Sequence, residues 1–144
     1  MARVKYRNVR AVVPWLASAM AAAVTDAGLA GVAAVTWAPT TPARRRARGF
    51  DPAELLGRAL ARRLGLRCPG LLDRLPGPPQ TGLAAAARRR GPSFVARRAV
   101  PVSVLVVDDI ATTGATLAAA ASTLRDAGAR AVVAVTAART PPPW

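Results

Sequence analysis

The longest informative run of apolar positions is Val-Leu-Val-Val at 104–107, four aliphatic residues with no polar alternation. That pattern predicts a strand buried on both faces, as in a parallel sheet. Two acids follow, Asp108 and Asp109, and then a small-residue turn, Ile110-Ala111-Thr112-Thr113-Gly114-Ala115-Thr116. The period changes there: Leu117, Ala120, Ala121, Leu124 and Ala127 fall on one helical face that Gly128 ends. Val132, Val133 and Val135 then mark another strand. Strand 104–108, helix 114–127 and strand 131–137 form a βαβ unit, whose crossover should be right-handed.

Upstream, Trp15, Leu16, Ala19, Ala23 and Ala27 predict a helix over 13–27, with Pro14 in its first turn and Gly28 as its stop. Residues 32–37 read as a buried strand that Pro39 and Pro42 end. The loop expected over 38–50 carries Arg44, Arg45, Arg46 and Arg48 within five positions. Asp51-Pro52-Ala53-Glu54 is a helix start, with an N-cap, proline at the first helical position and an acid two residues on. Its apolar face runs through Leu55, Leu56, Ala59, Leu60 and Leu64 to Gly65. Prolines at 69, 76, 78, 79 and 92 break 67–101, which is expected to be a mobile lid with a short basic helix at 83–90. Residues 140–144 form a proline-rich tail. The expectation is one α/β domain over 1–144: a central, mainly parallel sheet flanked by helices, with a flexible hood.

Composition adds constraints. The chain carries 21 basic and 7 acidic residues, a net charge of +14, and no histidine, so imidazole chemistry is excluded. One cysteine, Cys68, rules out an internal disulfide and any multi-cysteine zinc site. The positive charge should attract polyanions such as nucleic acid, nucleotides or phosphorylated sugars. Because nearly all of that charge is arginine, a compositional bias explains it equally well. Aromatic residues are few and not interleaved with the arginines, which argues against a base-stacking platform for single strands. The basic residues before the apolar run at 11–23 resemble a secretory signal, but Pro14 and the alanine-dominated core favour a soluble helix. The run is too short to cross a membrane. A cytoplasmic protein with no membrane partner is expected.

The turn at 112–116 would place amides and hydroxyls around an anion at a helix N-terminus. Carboxylates repel phosphate, so Asp108 and Asp109 ought to address something else on the same ligand, such as sugar hydroxyls or a metal. This apolar strand, acid pair and threonine-rich turn resemble the phosphoribosyl pyrophosphate (PRPP) motif of type I phosphoribosyltransferases. Further features are similar to the ComF group of that family, associated with natural competence. They are Lys5-Tyr6-Arg7, then Pro39, Arg44 and Arg48-Gly49-Phe50, then Gln80, Leu83 and Arg88, and finally Ala127-Gly128-Ala129. The chain departs from the group at Asn8, Asp51, Pro52 and Gly91, and it lacks the four-cysteine zinc ribbon with which many members begin.

The resemblance implies a type I phosphoribosyltransferase-like fold and a Mg2+-dependent PRPP-binding enzyme that exchanges pyrophosphate on ribose C1 for an acceptor. It implies that Asp108 and Asp109 hold the ribose hydroxyls and, indirectly, Mg2+. Ala111, Thr112, Thr113, Gly114, Ala115 and Thr116 would bind the 5′-phosphate, and Thr40, Arg44 and Arg48 the pyrophosphate. Asp109 is the one candidate base. Phosphoribosyltransferases often dimerise, so a homodimer is an implied assembly. The alternative is a catalytically silent competence factor that binds nucleic acid, including single-stranded DNA, through its basic surface.

Overall fold

A computed structural model describes the backbone of residues 2–29, 31–77 and 91–141, and side chains from residue 8 onward within those ranges. The elements are α1 (Ala2–Asp26), β1 (Ala34–Trp37), α2 (Pro42–Arg48), α3 (Pro52–Leu64), β2 (Leu72–Arg74), β3 (Phe94–Ala96), β4 (Ser103–Ala111), α4 (Ala115–Asp126) and β5 (Ala131–Arg139). The side chains of Lys5, Tyr6 and Arg7, the positions Gln80, Leu83 and Arg88, and the helix expected at 83–90 lie outside the described residues.

The apolar run at 104–107 becomes the middle of a parallel sheet ordered β1-β4-β5. All four side chains are fully buried, because strand alternation sends them to two different cores. Leu105 and Val107 join Val35, Met20, Leu56 and Leu60 beneath α1 and α3. Val104 and Val106 join Leu71, Phe94, Leu117 and Leu124 beneath α4 and the β2–β3 ribbon. The result is helix, sheet, helix in three layers, the α/β class expected from the sequence. Burial of each such aliphatic side chain contributes on the order of 2 kcal/mol.

Three local expectations are corrected. The first helix begins at Ala2, so Pro14 lies in its interior rather than in its first turn. Proline removes one backbone donor there. The helix persists because Val13, Ala17, Met20 and Val24 are buried along one face, and Arg63 Nη2 donates to the Pro14 carbonyl at 3.1 Å. The loop expected at 38–50 contains helix α2. Thr41 caps it by accepting from the Arg44 amide at 3.2 Å, Pro42 opens it and Gly49 ends it at φ 77°. Within the segment 67–101, β2 and β3 pair as an antiparallel ribbon, with Arg74 opposite Phe94. Leu72 and Phe94 anchor that ribbon in the second core. Among the described residues, no helix is long and apolar enough to cross a membrane.

Candidate functional site

β4 delivers its acids at the C-terminal edge of the sheet, beyond its buried aliphatics. Asp108 is only 8% exposed, and its Oδ1 accepts the Asp109 amide at 2.9 Å. Asp109 Oδ1 accepts the Ile110 amide at 2.9 Å in the same way. Burial pushes the Asp108 carboxyl up to about 7, reinforced by the neighbouring Asp109 and Asp51. A cation or hydrogen-bond donor arriving at this point would therefore draw a proton off Asp108 near neutrality.

The turn after β4 gives α4 no side chain at its capping position. Gly114 adopts φ 80°, a left-handed conformation that favours glycine, and it has no side chain to close the helix. The Ala118 amide makes the first intrahelical bond, to the Gly114 carbonyl at 2.9 Å. Thr113 Oγ1 accepts from the Ala115 amide at 3.3 Å. The amides of Thr116 and Leu117 cannot bond within the first turn, and no side chain caps them. Residues 110–117 and Asp108 line a small hollow of about 30 Å³ around this helix end.

A larger cleft of about 280 Å³ adjoins it. β1 runs parallel to β4, with Trp37 opposite Val107, and the Ala38 amide donates to the Val107 carbonyl at 2.9 Å. This register carries the chain after β1 to the acid pair. Thr40, Arg44, Arg48, Asp108, Asp109, Thr112 and Thr116 all line the cleft. Ala111, Thr113, Gly114 and Ala115 line the adjoining hollow instead. The fold thus gathers three stretches of chain that the sequence holds far apart.

The run of four arginines is divided by its helix. Arg44 and Arg48 line the cleft. Arg45 turns to Glu54, with Nη2 3.1 Å from Oε2, while Arg58 takes the other oxygen of the same carboxylate. Arg46 lines none of these hollows and is exposed.

Two charged residues of the cleft, Asp51 and Arg74, are not among the site residues expected from the sequence. Asp51, 2% exposed, accepts the Ala53 amide at 3.0 Å as the expected N-cap. Its second oxygen accepts the Thr40 amide at 2.8 Å, which ties the loop after β1 to the start of α3. Burial pushes the Asp51 carboxyl above its ordinary range. Arg74 ends β2 with its guanidinium carbon 5.9 Å from the centre of the Phe94 ring. Nη1 donates to the Pro39 carbonyl at 3.5 Å. Burial, then the nearby Arg44, lowers the Arg74 pKa, while Asp108 and Asp51 oppose that shift. The available signal for Arg74 was weak: an apolar Leu71-Leu72 pair just before it, inside a proline-broken segment.

The cleft therefore sets three guanidinium groups, Arg44, Arg48 and Arg74, against three carboxylates, Asp51, Asp108 and Asp109. Among the described residues, no group of three or more His, Cys, Asp or Glu side chains could hold a metal by itself. An adjacent pair of carboxylates suits a hard cation that takes most of its oxygen ligands from a phosphorylated substrate.

No protein-family model matches the chain, and no curated protein matches its sequence. Solved structures do match its fold. The hypoxanthine phosphoribosyltransferase of Trypanosoma cruzi superposes with a TM-score of 0.52 at 14% identity, over 95% of this chain and 76% of that one. A mutant of the Trypanosoma cruzi enzyme complexed with the product IMP gives 0.53 at 13% identity, over 94% and 74%. An HPRT with glutamine at an invariant aspartic acid position gives 0.54 at 14%, over 94% and 79%. Likeness at such identities is a likeness of fold. The parallel β1-β4-β5 sheet and its flanking helices have the fold of type I phosphoribosyltransferases.

Proposed function

We propose that the cleft binds PRPP with Mg2+ and that the protein is a phosphoribosyltransferase of the ComF kind, acting in the cytoplasm. The observation that carries this reading is the meeting of two unlike features at the end of one strand. An acid pair suited to sugar hydroxyls adjoins a glycine-opened helix N-terminus suited to a phosphate, and Arg44, Arg48 and Arg74 line the same cleft.

In this reading the amides at the start of α4, with the hydroxyls of Thr112, Thr113 and Thr116, hold the 5′-phosphate. Asp108 and Asp109 hold the ribose hydroxyls. Thr40, Arg44 and Arg48 hold the pyrophosphate, with Arg74 as an added cation from the ribbon. Each donor that gains strength as charge develops on the leaving group contributes about 2–4 kcal/mol. Mg2+, bound with the ligand beside Asp108 and Asp109, would offset pyrophosphate charge. No histidine is available to activate an acceptor, which leaves Asp109 as the candidate base. The lid expected over 67–101, of which residues 78–90 lie outside the described ones, would exclude water from ribose C1.

Calorimetric titration with PRPP and Mg2+ tests the reading. The wild type should give saturable heat, and the double substitution Asp108→Asn/Asp109→Asn should abolish it. Absence of heat from the wild type would reject the reading.

A second reading is favoured by a separate basic groove of about 630 Å³ between α1 and α3, lined by Arg10, Arg62 and Arg63. Here the chain binds nucleic acid without catalysis. It predicts single-stranded DNA binding that weakens steeply with salt and persists in the double acid variant. Binding indifferent to salt would count against it.

A further inference from the structure

A second groove opens beside the phosphate cleft and has a different chemistry. Its volume is about 570 Å³, within the range of small-molecule sites. It is lined by Val9, Val12 and Leu16 of α1, by Phe50, by Ile110 of β4 and by Ala138 of β5, among others. Ten of its twelve lining residues are apolar, and Arg48 and Asp109 are the other two.

Backbone groups at its floor already have partners. Thr136 Oγ1 lies 3.2 Å from the Asp109 carbonyl and 2.9 Å from the Ala138 carbonyl, and its one proton is shared between them. The Ile110 amide is taken by the Asp109 carboxylate. Yet Val9, Val12 and Ile110 are 36%, 47% and 52% exposed, so three large aliphatic side chains face solvent around one hollow. The groove is continuous with the cleft, because Arg48, Pro52, Asp109 and Ile110 line both.

We propose that this groove binds an uncharged apolar group, aromatic or hydrocarbon, belonging to a ligand whose anionic part lies in the cleft. This rests on the phosphoribosyl reading of the cleft and narrows its acceptor side. A group with several donors and acceptors along its edge would lose water in the groove and find few partners. An apolar body loses nothing polar on entry and covers the exposed valines. Volume, lining and the shared wall together favour a compact ligand group over a protein surface.

The uncharged fluorophore N-phenyl-1-naphthylamine is a suitable probe, titrated into the full chain. The wild type should show saturable enhancement of emission. Val9→Asp and Val12→Asp each place a carboxylate on the groove wall at an exposed helix position, and should weaken the probe by about tenfold or more. Calorimetric binding of PRPP with Mg2+ should stay within about twofold in both variants, because neither side chain lines the cleft, and this also reports that they fold. Adenine, hypoxanthine and uracil at millimolar concentration should leave the probe in place, whereas indole should displace it.

Probe binding that ignores both substitutions would overturn the inference, as would displacement by the bases. A wild-type dimer that Val12→Asp dissociates on sedimentation would make the groove a subunit contact and overturn it too. Loss of PRPP heat in the wild type instead rejects the reading of the cleft, whereas PRPP heat with an insensitive probe rejects the groove alone.

Discussion

Two helices begin at the same cleft and end their chains of amides in opposite ways. At α3 the chain supplies its own anion: the Asp51 carboxylate accepts from Ala53 and Pro52 has no amide to satisfy. At α4 the capping position is Gly114, which has no side chain; Thr113 Oγ1 takes the Ala115 amide, and the amides of Thr116 and Leu117 have no side-chain acceptor. Both termini carry the positive end of a helix dipole. The difference teaches which of them is structural. A helix whose first turn is filled by its own carboxylate has little left for a ligand, whereas one opened by a left-handed glycine presents amides to whatever anion enters. Asp51 also binds Thr40, so the closed terminus positions one wall of the cleft while the open one provides another.

The largest effect at the cleft where the two helices begin is expected from Asp108→Asn. The Asp108 carboxyl, raised by burial to about 7 from an ordinary 3.8, favours the fold when protonated. Its stabilisation is complete below about pH 4 and disappears as the pH rises through 7. The substituted amide cannot ionise, so urea unfolding should show the variant more stable than the wild type at pH 8, by on the order of 4 kcal/mol. The two should converge near pH 4. A constant difference across that window would show that Asp108 does not titrate in it.

Asp51→Ala comes next. It removes a helix cap and leaves the Thr40 amide without its acceptor, which together should cost about 2–4 kcal/mol in urea unfolding. PRPP binding should weaken as the loop after β1 loosens. Asp51→Asn should recover part of the stability, since an amide oxygen can still accept one of the two bonds. A smaller effect is expected from Gly114→Ala. The space around Gly114 is open, so the cost is the backbone conformation alone, about 1–2 kcal/mol. If the open terminus binds phosphate, the same substitution should also lower PRPP affinity by calorimetry, because α4 would start in a different place. Equal PRPP affinity in Gly114→Ala and wild type would remove the functional half of the comparison.

The parts of this protein that were legible in the sequence are those whose cause lies within a few residues. The apolar run 104–107, the acids at its end, the threonine turn and the Asp51-Pro52 helix start each depend on local period or local capping. The structure shows β4, α4 and α3 at those places. Helix α2 was equally local, since Thr41, Pro42 and Gly49 are cap, first residue and stop. The arginine run between them obscured that signal.

Tertiary structure decided what depends on surfaces meeting across the chain. The passage of α1 through Pro14 requires the buried stripe it shares with α3. Pairing of two three-residue strands separated by nineteen residues requires the second core that Leu72 and Phe94 enter. Only that pairing brings Arg74 to the cleft, and only the fold of α2 sends Arg45 to Glu54 while Arg44 and Arg48 line the site. The apolar groove is likewise a product of five elements, α1, α2, α3, β4 and β5. The sequence by itself determined the strand, the acid pair and the open helix end, because their chemistry and geometry are contiguous. The opposing cations and the groove beside them exist only once packing free energy brings distant segments together.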